Sequence, residues 1–502
     1  MQPRARKTLW WGTLTLTSAA LISRGLGLIY RILLARFLGS EGLGQFQMVF
    51  PFYVTLVTLA VAGTPVAVSQ IVAEDRAPAG RVLRIATLIV LTISVPLMVL
   101  TLAGARPLAT LLYHDATFAP FLAALAPALI AVAFSSVLRG YFIGLQEMEY
   151  PALSQVAEQL VRVAILFTLI NVVGERLLVD NPPLIAVLLI PLGEGVSLAV
   201  LLLGYRRWRP AQTPEPPQPF SLAPAILRLS IPVTLSRLLG SLIGVIEASL
   251  IPLRLEMSGM SRAAALSYFG QLTGMALPLI LFPTALTVSL STNLIPAIAE
   301  ATSRGHHEQA HRDIVDSVRA TALLTVPVTF VLLTLGLPLD DLFFHAHVSP
   351  AVFVPLVLGG FFLYFDIAFA GILRGLGRTD LPLWNDLFAS LIEIALIWVL
   401  ASRPGRGPEG IAIAISVGFA LSGLFNLYHV VRLTHVKIPW LRVFGKPVVA
   451  ALPIWLMTPL WQRWLAFHHA NHLVTLITSL GVAALLYFAG LRVTGTRLSR
   501  LL

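Results

Sequence analysis

Along this chain, apolar residues come in long unbroken runs separated by short polar breaks, with little of the alternation that marks a half-buried strand. A helix needs roughly 20 apolar residues to cross the hydrocarbon of a bilayer. Runs of that length fall at about 9–34, 46–72, 83–104, 117–142, 152–173, 184–204, 225–253, 264–298, 318–338, 350–373, 382–401, 410–432, 443–464 and 472–491. The pattern predicts an all-α integral membrane protein with fourteen transmembrane helices.

Composition agrees with the pattern. Of 502 residues, 57% are hydrophobic and 12% charged, far from the balance of a soluble domain. The net charge of +11 does not signal nucleic acid, because the basic residues are scattered through short loops and form no single patch. Cysteine is absent, which excludes disulfides, thiol catalysis and thiolate metal sites. Arg4, Arg6 and Lys7 ahead of an apolar run resemble a signal peptide, but Thr residues and Arg24 interrupt it and the run continues beyond them. It is therefore expected to remain as a membrane span.

Basic residues also set the orientation. With a cytoplasmic N-terminus, twenty-two lysines and arginines fall on that side, Arg139, Arg374 and Lys437 among them. Eight fall on the other side, Arg254 included, and five lie within or at the edges of spans. The bias puts both termini in the cytoplasm, in a multi-pass protein of the cell membrane.

The longest polar break runs from Tyr205 to Phe220 and holds Pro214, Pro216, Pro217 and Pro219. Proline at this density excludes helix and gives an extended connector. Either side of it the chain repeats. Ser23-Arg24-Gly25-Leu26-Gly27 returns 213 positions later as Ser236-Arg237-Leu238-Leu239-Gly240. Gly44-Gln45 and Glu74 return 226 positions later as Gly270-Gln271 and Glu300, and the segment from Gly144 to Pro151 returns 231 positions later from Gly375 to Pro382. The slow drift is what loop insertions produce. Six spans separate the paired segments, an even number, so the halves share one topology about a pseudo-twofold axis along the membrane normal. The expected division is an N-lobe at 1–210, a cytoplasmic linker at 211–224, a C-lobe at 225–435, and two further helices at 436–502 outside the repeat.

Ionisable residues inside spans are the candidates for function, because charge at bilayer depth is tolerated only beside a water-filled cavity or a partner. Arg24 and Arg31 stand one heptad apart, on one face of the first span together with Thr17. For Arg31, snorkelling to the headgroups is the competing reading. The first half offers Arg24, Arg31 and Arg162 against Glu158 and Glu194, and the second offers Arg237 against Glu247, Asp366, Asp386 and Glu393. Glu158 and Arg162 have the spacing of an intrahelical ion pair. Arg24 and Arg237, repeat equivalents, are expected to converge across the axis as a clamp whose planar forks suit phosphate oxygens; the other reading has each satisfied within its own bundle. Asp386 and Glu393, a heptad apart with Ser390 on the same face, suit a coupling cation or a proton, unless Asp386 lies close enough to the boundary to be solvated. Glu247 is a candidate partner for either group.

No nucleophile elbow or nucleotide-binding loop is present, so the chain reads as a transporter with neither cofactor nor nucleotide, and uphill transport must draw on an ion gradient, Na+ or H+, or on the membrane potential. The histidines at 306, 307, 345, 347, 468, 469 and 472 lie in short loops without ligand-spaced companions, which argues against a metal site.

With these segments in view the chain resembles the multidrug/oligosaccharidyl-lipid/polysaccharide (MOP) exporter superfamily, in its polysaccharide biosynthesis and stage V sporulation protein B branch. It is similar to lipid II flippases of the MurJ type. The likeness is carried by Ser23-Arg24-x-x-Gly27 through Ala35-Arg36-x-x-Gly39, by Gly63-Thr64-Pro65-Val66-Ala67-Val68-Ser69 into Glu74, and by Arg139-Gly140-Tyr141-Phe142-x-Gly144-Leu145-Gln146 followed by Gln155-x-x-Glu158-Gln159-x-x-Arg162. The resemblance implies two six-helix lobes with alternating access. It further implies a cargo of undecaprenyl-diphosphate-linked glycan, whose lipid tail stays in the membrane beside the last two helices. Arg24 matches a cavity arginine of that family. Where a second is expected this chain has Tyr30, with Arg31 one position on and about 100° around the helix. A sodium or proton site in the second lobe would fall on Glu247, Asn385 and Asp386. A monomer is expected. A cation-coupled multidrug exporter of the same fold and a membrane-embedded glycosyltransferase or polymerase are the alternatives. The first should carry acids where the first half here carries arginines, and the second needs a large extramembrane loop.

Overall fold

The computed structural model describes residues 3–61, 63–74, 78–173, 181–207, 222–345, 348–468 and 471–496. The described residues are helical almost throughout and contain no strand. They pack as two compact units, Met1–Ser249 and Leu250–Leu502. The proline-rich connector lies outside the described residues, which break off at 207 and resume at 222.

The first unit contains α1 (Pro3–Val61), α2 (Thr64–Ala73), α3 (Ala79–Ala103), α4 (Ala105–Tyr113), α5 (Ala119–Leu125), α6 (Ala128–Gly144), α7 (Glu149–Thr168), α8 (Pro182–Arg207) and most of α9 (Leu222–Met257). A membrane-compatible stretch of 56 residues, Ser18–Ala73, runs through α1 and α2. At 1.5 Å per residue it is far longer than the roughly 30 Å of hydrocarbon. Gly39 divides it, with φ 65° and ψ −177°, a region open essentially to glycine alone. The stretch is therefore two crossings, as predicted. With the other twelve apolar helices, the described residues make fourteen. The second crossing breaks again at Gly63 (φ 63°). A Cβ there would meet the Ser230 carbonyl oxygen of α9 at 2.6 Å, so backbone conformation and close helix approach both require glycine. At the centre, α6 packs on α1, α2, α3 and α8, while α7 lies against α1 and α8.

The second unit continues with α10 (Arg262–Gly270), α11 (Leu277–Leu281), α12 (Thr284–Ser303), α13 (His307–Phe344), α14 (Pro350–Gly375), α15 (Asp380–Leu400), α16 (Gly407–Thr434), α17 (Trp440–Phe467) and α18 (His472–Val493). The predicted span at 264–298 turns instead at Phe282 and Pro283, so that α12 is a separate helix. Here α14 is central, packed on α12, α13 and α16, with α15 on α16 and the pair α17–α18 on α13. The core joins Ile314 and Val318 of α13 to Phe365, Phe369 and Ile372 of α14 and to Ile454 and Tyr487 of the last two helices. Leu111, Leu203, Phe388, Leu441 and Leu485 are among many large apolar side chains exposed on the outside, the surface that lipid covers.

The repeat recurs in the packing. A Cβ on Gly140 of α6 would strike Pro65, and one on Gly144 would strike Ser69 and Val72 of α2. In α14, Gly371 and Gly375 meet Ser291, and Ile295 and Ile298, of α12. Both glycines shift by 231 positions and all three partners by 226, the spacings found in the sequence. The same small-residue contact brings two backbones together in each unit.

Candidate functional site

In the first unit, three helices bring four charged side chains together. Arg139 of α6 donates from Nη2 to Glu158 Oε2 (3.1 Å) and to Ser197 Oγ (2.6 Å). Arg162, one turn beyond Glu158 on α7, pairs through Nη2 with Glu158 Oε1 (3.1 Å) and Glu194 Oε1 (3.2 Å), and also donates to the Ile190 carbonyl (3.4 Å). The cluster is internally neutral and largely shielded, with side chains of Glu158, Arg162 and Glu194 10–13% exposed. It forms because α8 offers Gly193 at the point where Arg162 lies flat; a Cβ there would collide with the Arg162 guanidinium. Arg139, counted from the sequence among the cytoplasmic loop charges, is instead a member of this cluster. Its place inside the run 117–142 was the signal.

A polar chain crosses the second unit at related positions. Asp366 Oδ1 of α14 accepts from Ser422 Oγ (2.8 Å) and from Asn426 Nδ2 (2.6 Å) of α16. The same Ser422 hydroxyl contacts Asp386 Oδ1 of α15. Asn385 Nδ2 reaches Asn426 Oδ1 (2.8 Å) and His429 Nδ1 (3.1 Å). Ser422 has one hydrogen and faces two carboxyl oxygens, so one contact is satisfied only by a proton on a carboxyl group or by a bound cation. Glu393, two turns along α15, is buried against Gly418 of α16. It is thus the counterpart of Arg162 against Gly193, 231 and 225 positions on, and Ser422 is likewise the counterpart of Ser197. The first unit neutralises its acids with its own arginines; the second sets acids at the matching helix contacts. Sequence reasoning placed Asn385, Asp386 and Glu393 here but left out Ser422, Asn426 and His429, whose spacing puts them on one face of α16. Among the described residues no group of three or more acids and histidines is arranged to hold a metal ion. Glu247, on α9, lies in the first unit.

The remaining arginines differ from these. Arg254, assigned from the sequence to the external loops, is buried at the end of α9. The groups it meets are neutral: the Trp398 carbonyl (2.6 Å), Ser402 Oγ (3.0 Å) and the Trp398 ring, whose centroid is 4.1 Å from its guanidinium carbon, while its Nε is left without a hydrogen-bond partner. Arg24 on α1 and Arg237 on α9, both in the first unit, are exposed, and Arg31 is half-buried. Among the described residues none of these three has a carboxylate partner. All three stand inside long apolar helices.

The sequence profile described as "Polysaccharide biosynthesis protein" matches residues 9–302, more than half of the chain. The chain belongs to the polysaccharide biosynthesis protein family. The profile of "Lipid II flippase MurJ" matches residues 260–364. Family membership agrees with a curated relative, "Stage V sporulation protein B" of Bacillus subtilis (strain 168), 32% identical over an alignment of 458 residues, with 86% of each chain covered. Two solved structures share the fold. One is a lipid II flippase MurJ in an inward closed conformation, with TM-score 0.72 and 17% identity, covering 95% of this chain and 98% of that one. The other is an inward-facing multidrug resistance MATE family transporter of the MOP superfamily, with TM-score 0.67 and 15% identity, covering 84% and 98%. As a member of this family, with thirteen helical stretches long and apolar enough to cross a membrane among the described residues, the chain is a multi-pass membrane protein that shares the fold of these two transporters.

Proposed function

We propose that this protein is an alternating-access flippase that carries undecaprenyl-diphosphate-linked cell-wall or polysaccharide precursors across the cytoplasmic membrane, acting as a monomer with both termini in the cytoplasm. The observation that carries the reading is that, among the described residues, neither Arg24 nor Arg237 has a carboxylate partner. A guanidinium inside an apolar helix needs water or an anion, and two at repeat-equivalent positions supply a bidentate match for a diphosphate. Moving that head group through hydrocarbon is prohibitive; offering it arginines along a wet path removes much of the desolvation cost. Arg31 adds positive charge on the same helix. Glu158 and Arg162 contribute by fixing α7 against α8, and they stay neutral toward the cargo while Glu194 and Arg139 hold them.

The polar chain through Asp366, Ser422, Asp386, Asn426 and Asn385 supports coupling to Na+ or H+, with Glu393 as a further acid in the same unit; Glu247, in the first unit, is a separate candidate for the coupling cation. The same acids support a second reading, a cation-coupled multidrug exporter, which the MATE-like fold keeps in view. One experiment separates them. In liposomes carrying the protein, a fluorescent undecaprenyl-diphosphate glycan should cross faster than in protein-free liposomes, while a fluorescent lipophilic cation should not be exported. Cation export without lipid crossing would reverse the assignment.

A further inference from the structure

The second unit contains a cavity of about 520 Å³ that belongs to neither polar cluster. One wall is the start of α13, where His311, Arg312 and Asp316 lie on one side of the helix; the other is the connector from α16 to α17, with His435, Val436 and Lys437. His311 Nε2 donates to the Thr434 carbonyl at 2.6 Å, which ties the connector to α13. Since a carbonyl only accepts, that ring nitrogen is committed. Arg312, His435 and Lys437 remain exposed around the opening, with Asp316 as the one carboxylate on the lining.

Next to the opening the chain turns apolar. Trp440 stacks on Phe444 with ring centroids 5.8 Å apart, and Leu441 is 86% exposed. Tryptophan beside basic residues at a helix start is the composition of the membrane interface. Basic pockets between helices at the cytoplasmic surface suit anionic head groups, and each Lys or Arg near that surface adds to the attraction. A soluble phosphate would use the basic rim alone; a phospholipid would also use Trp440, Leu441 and the exposed apolar flank of α17.

We propose that this cavity binds the phosphate of an anionic phospholipid, held by Arg312, Lys437 and His435 with its acyl chains along α17. The lining lies wholly within the second unit and includes none of the arginines proposed to receive the cargo. The test is native mass spectrometry of the full-length protein released from nanodiscs of phosphatidylcholine with a minority of phosphatidylglycerol. The parent should retain phosphatidylglycerol in excess of its share. Arg312→Gln/Lys437→Gln should cut that retention by about tenfold or more, while Arg432→Gln/Lys446→Gln, whose residues are not on the lining, should retain it. Arg312→Lys/Lys437→Arg, which keeps both charges, should also retain it and shows that any loss is not misfolding. A second arm offers glycerol phosphate to protein in pure phosphatidylcholine; an adduct lost only in the Gln pair would keep the phosphate site but assign it to a soluble ligand. Equal retention of both probes by the parent and the Gln pair would overturn the proposal.

Discussion

Removing Arg162 should leave the first unit with an uncompensated buried acid, and the geometry sets how much that costs. Arg162 alone bridges Glu158 to Glu194, while Glu158 keeps a second partner in Arg139. After Arg162→Met, Glu158 is still neutralised and Glu194 is the stranded group, its side chain 13% exposed in the parent. Breaking a buried pair from one side costs about 3–5 kcal/mol. With one acid stranded instead of two, the lower end applies, about 3 kcal/mol. For a unit of this size that corresponds to a fall in Tm on the order of 5–10 °C. The assay is thermal unfolding in detergent at one scan rate, with a double-mutant cycle. Arg162→Met/Glu194→Gln should recover more than half of the loss, because an amide tolerates burial better than an unpaired carboxylate. A single variant within 1 °C of the parent, or a double variant no better than the single, would refute this electrostatic account of the cluster.

Other expectations follow from the second unit and from the repeat. Asp366→Asn and Asp386→Asn should each abolish the response of transport to an imposed Na+ or H+ gradient while leaving exchange at zero gradient; a retained response in both would remove the Ser422 pair as the coupling site. Gly140→Ala should destabilise more than Gly371→Ala, since the added methyl meets the Pro65 carbonyl oxygen at 2.6 Å in one case and chiefly the Ser291 hydroxyl in the other. Overpacking against backbone costs about 1–3 kcal/mol, whereas a hydroxyl can rotate away, and comparing the two melting temperatures decides it.

Much of the fold was legible because bilayer depth forces a length on every apolar run. All fourteen crossings could be placed, and the repeat spacings of 226 and 231 reappear as the glycine contacts of α6 on α2 and α14 on α12. Hydropathy could not show that the second and eighth crossings turn at Gly63 and at Pro283, because the residues on both sides stay apolar. Sites were harder. A pairwise rule found Glu158 with Arg162, but Arg139 and Glu194 join them from other helices, and only tertiary packing aligns α6, α7 and α8. Asp386 was legible as an acid on a polar face; that it shares a hydroxyl with Asp366 depends on Ser422, a residue too ordinary to attract notice by itself. Arg254 misled because position near a span end suggested solvent, whereas Trp398 and Ser402 bury it.

The central claim is that Arg24 and Arg237 receive the diphosphate of a lipid-linked cargo. The most direct measurement is the rate at which liposomes carrying the parent or Arg24→Gln/Arg237→Gln move two fluorescent lipids of identical glycan and chain, one with a diphosphate and one with a monophosphate linkage. The parent should move the diphosphate lipid faster, and the variant should lose that preference by slowing on the diphosphate lipid about tenfold or more, as expected when charge-assisted contacts to an anion are removed. A variant that keeps both the parent rate and the parent preference would contradict the account.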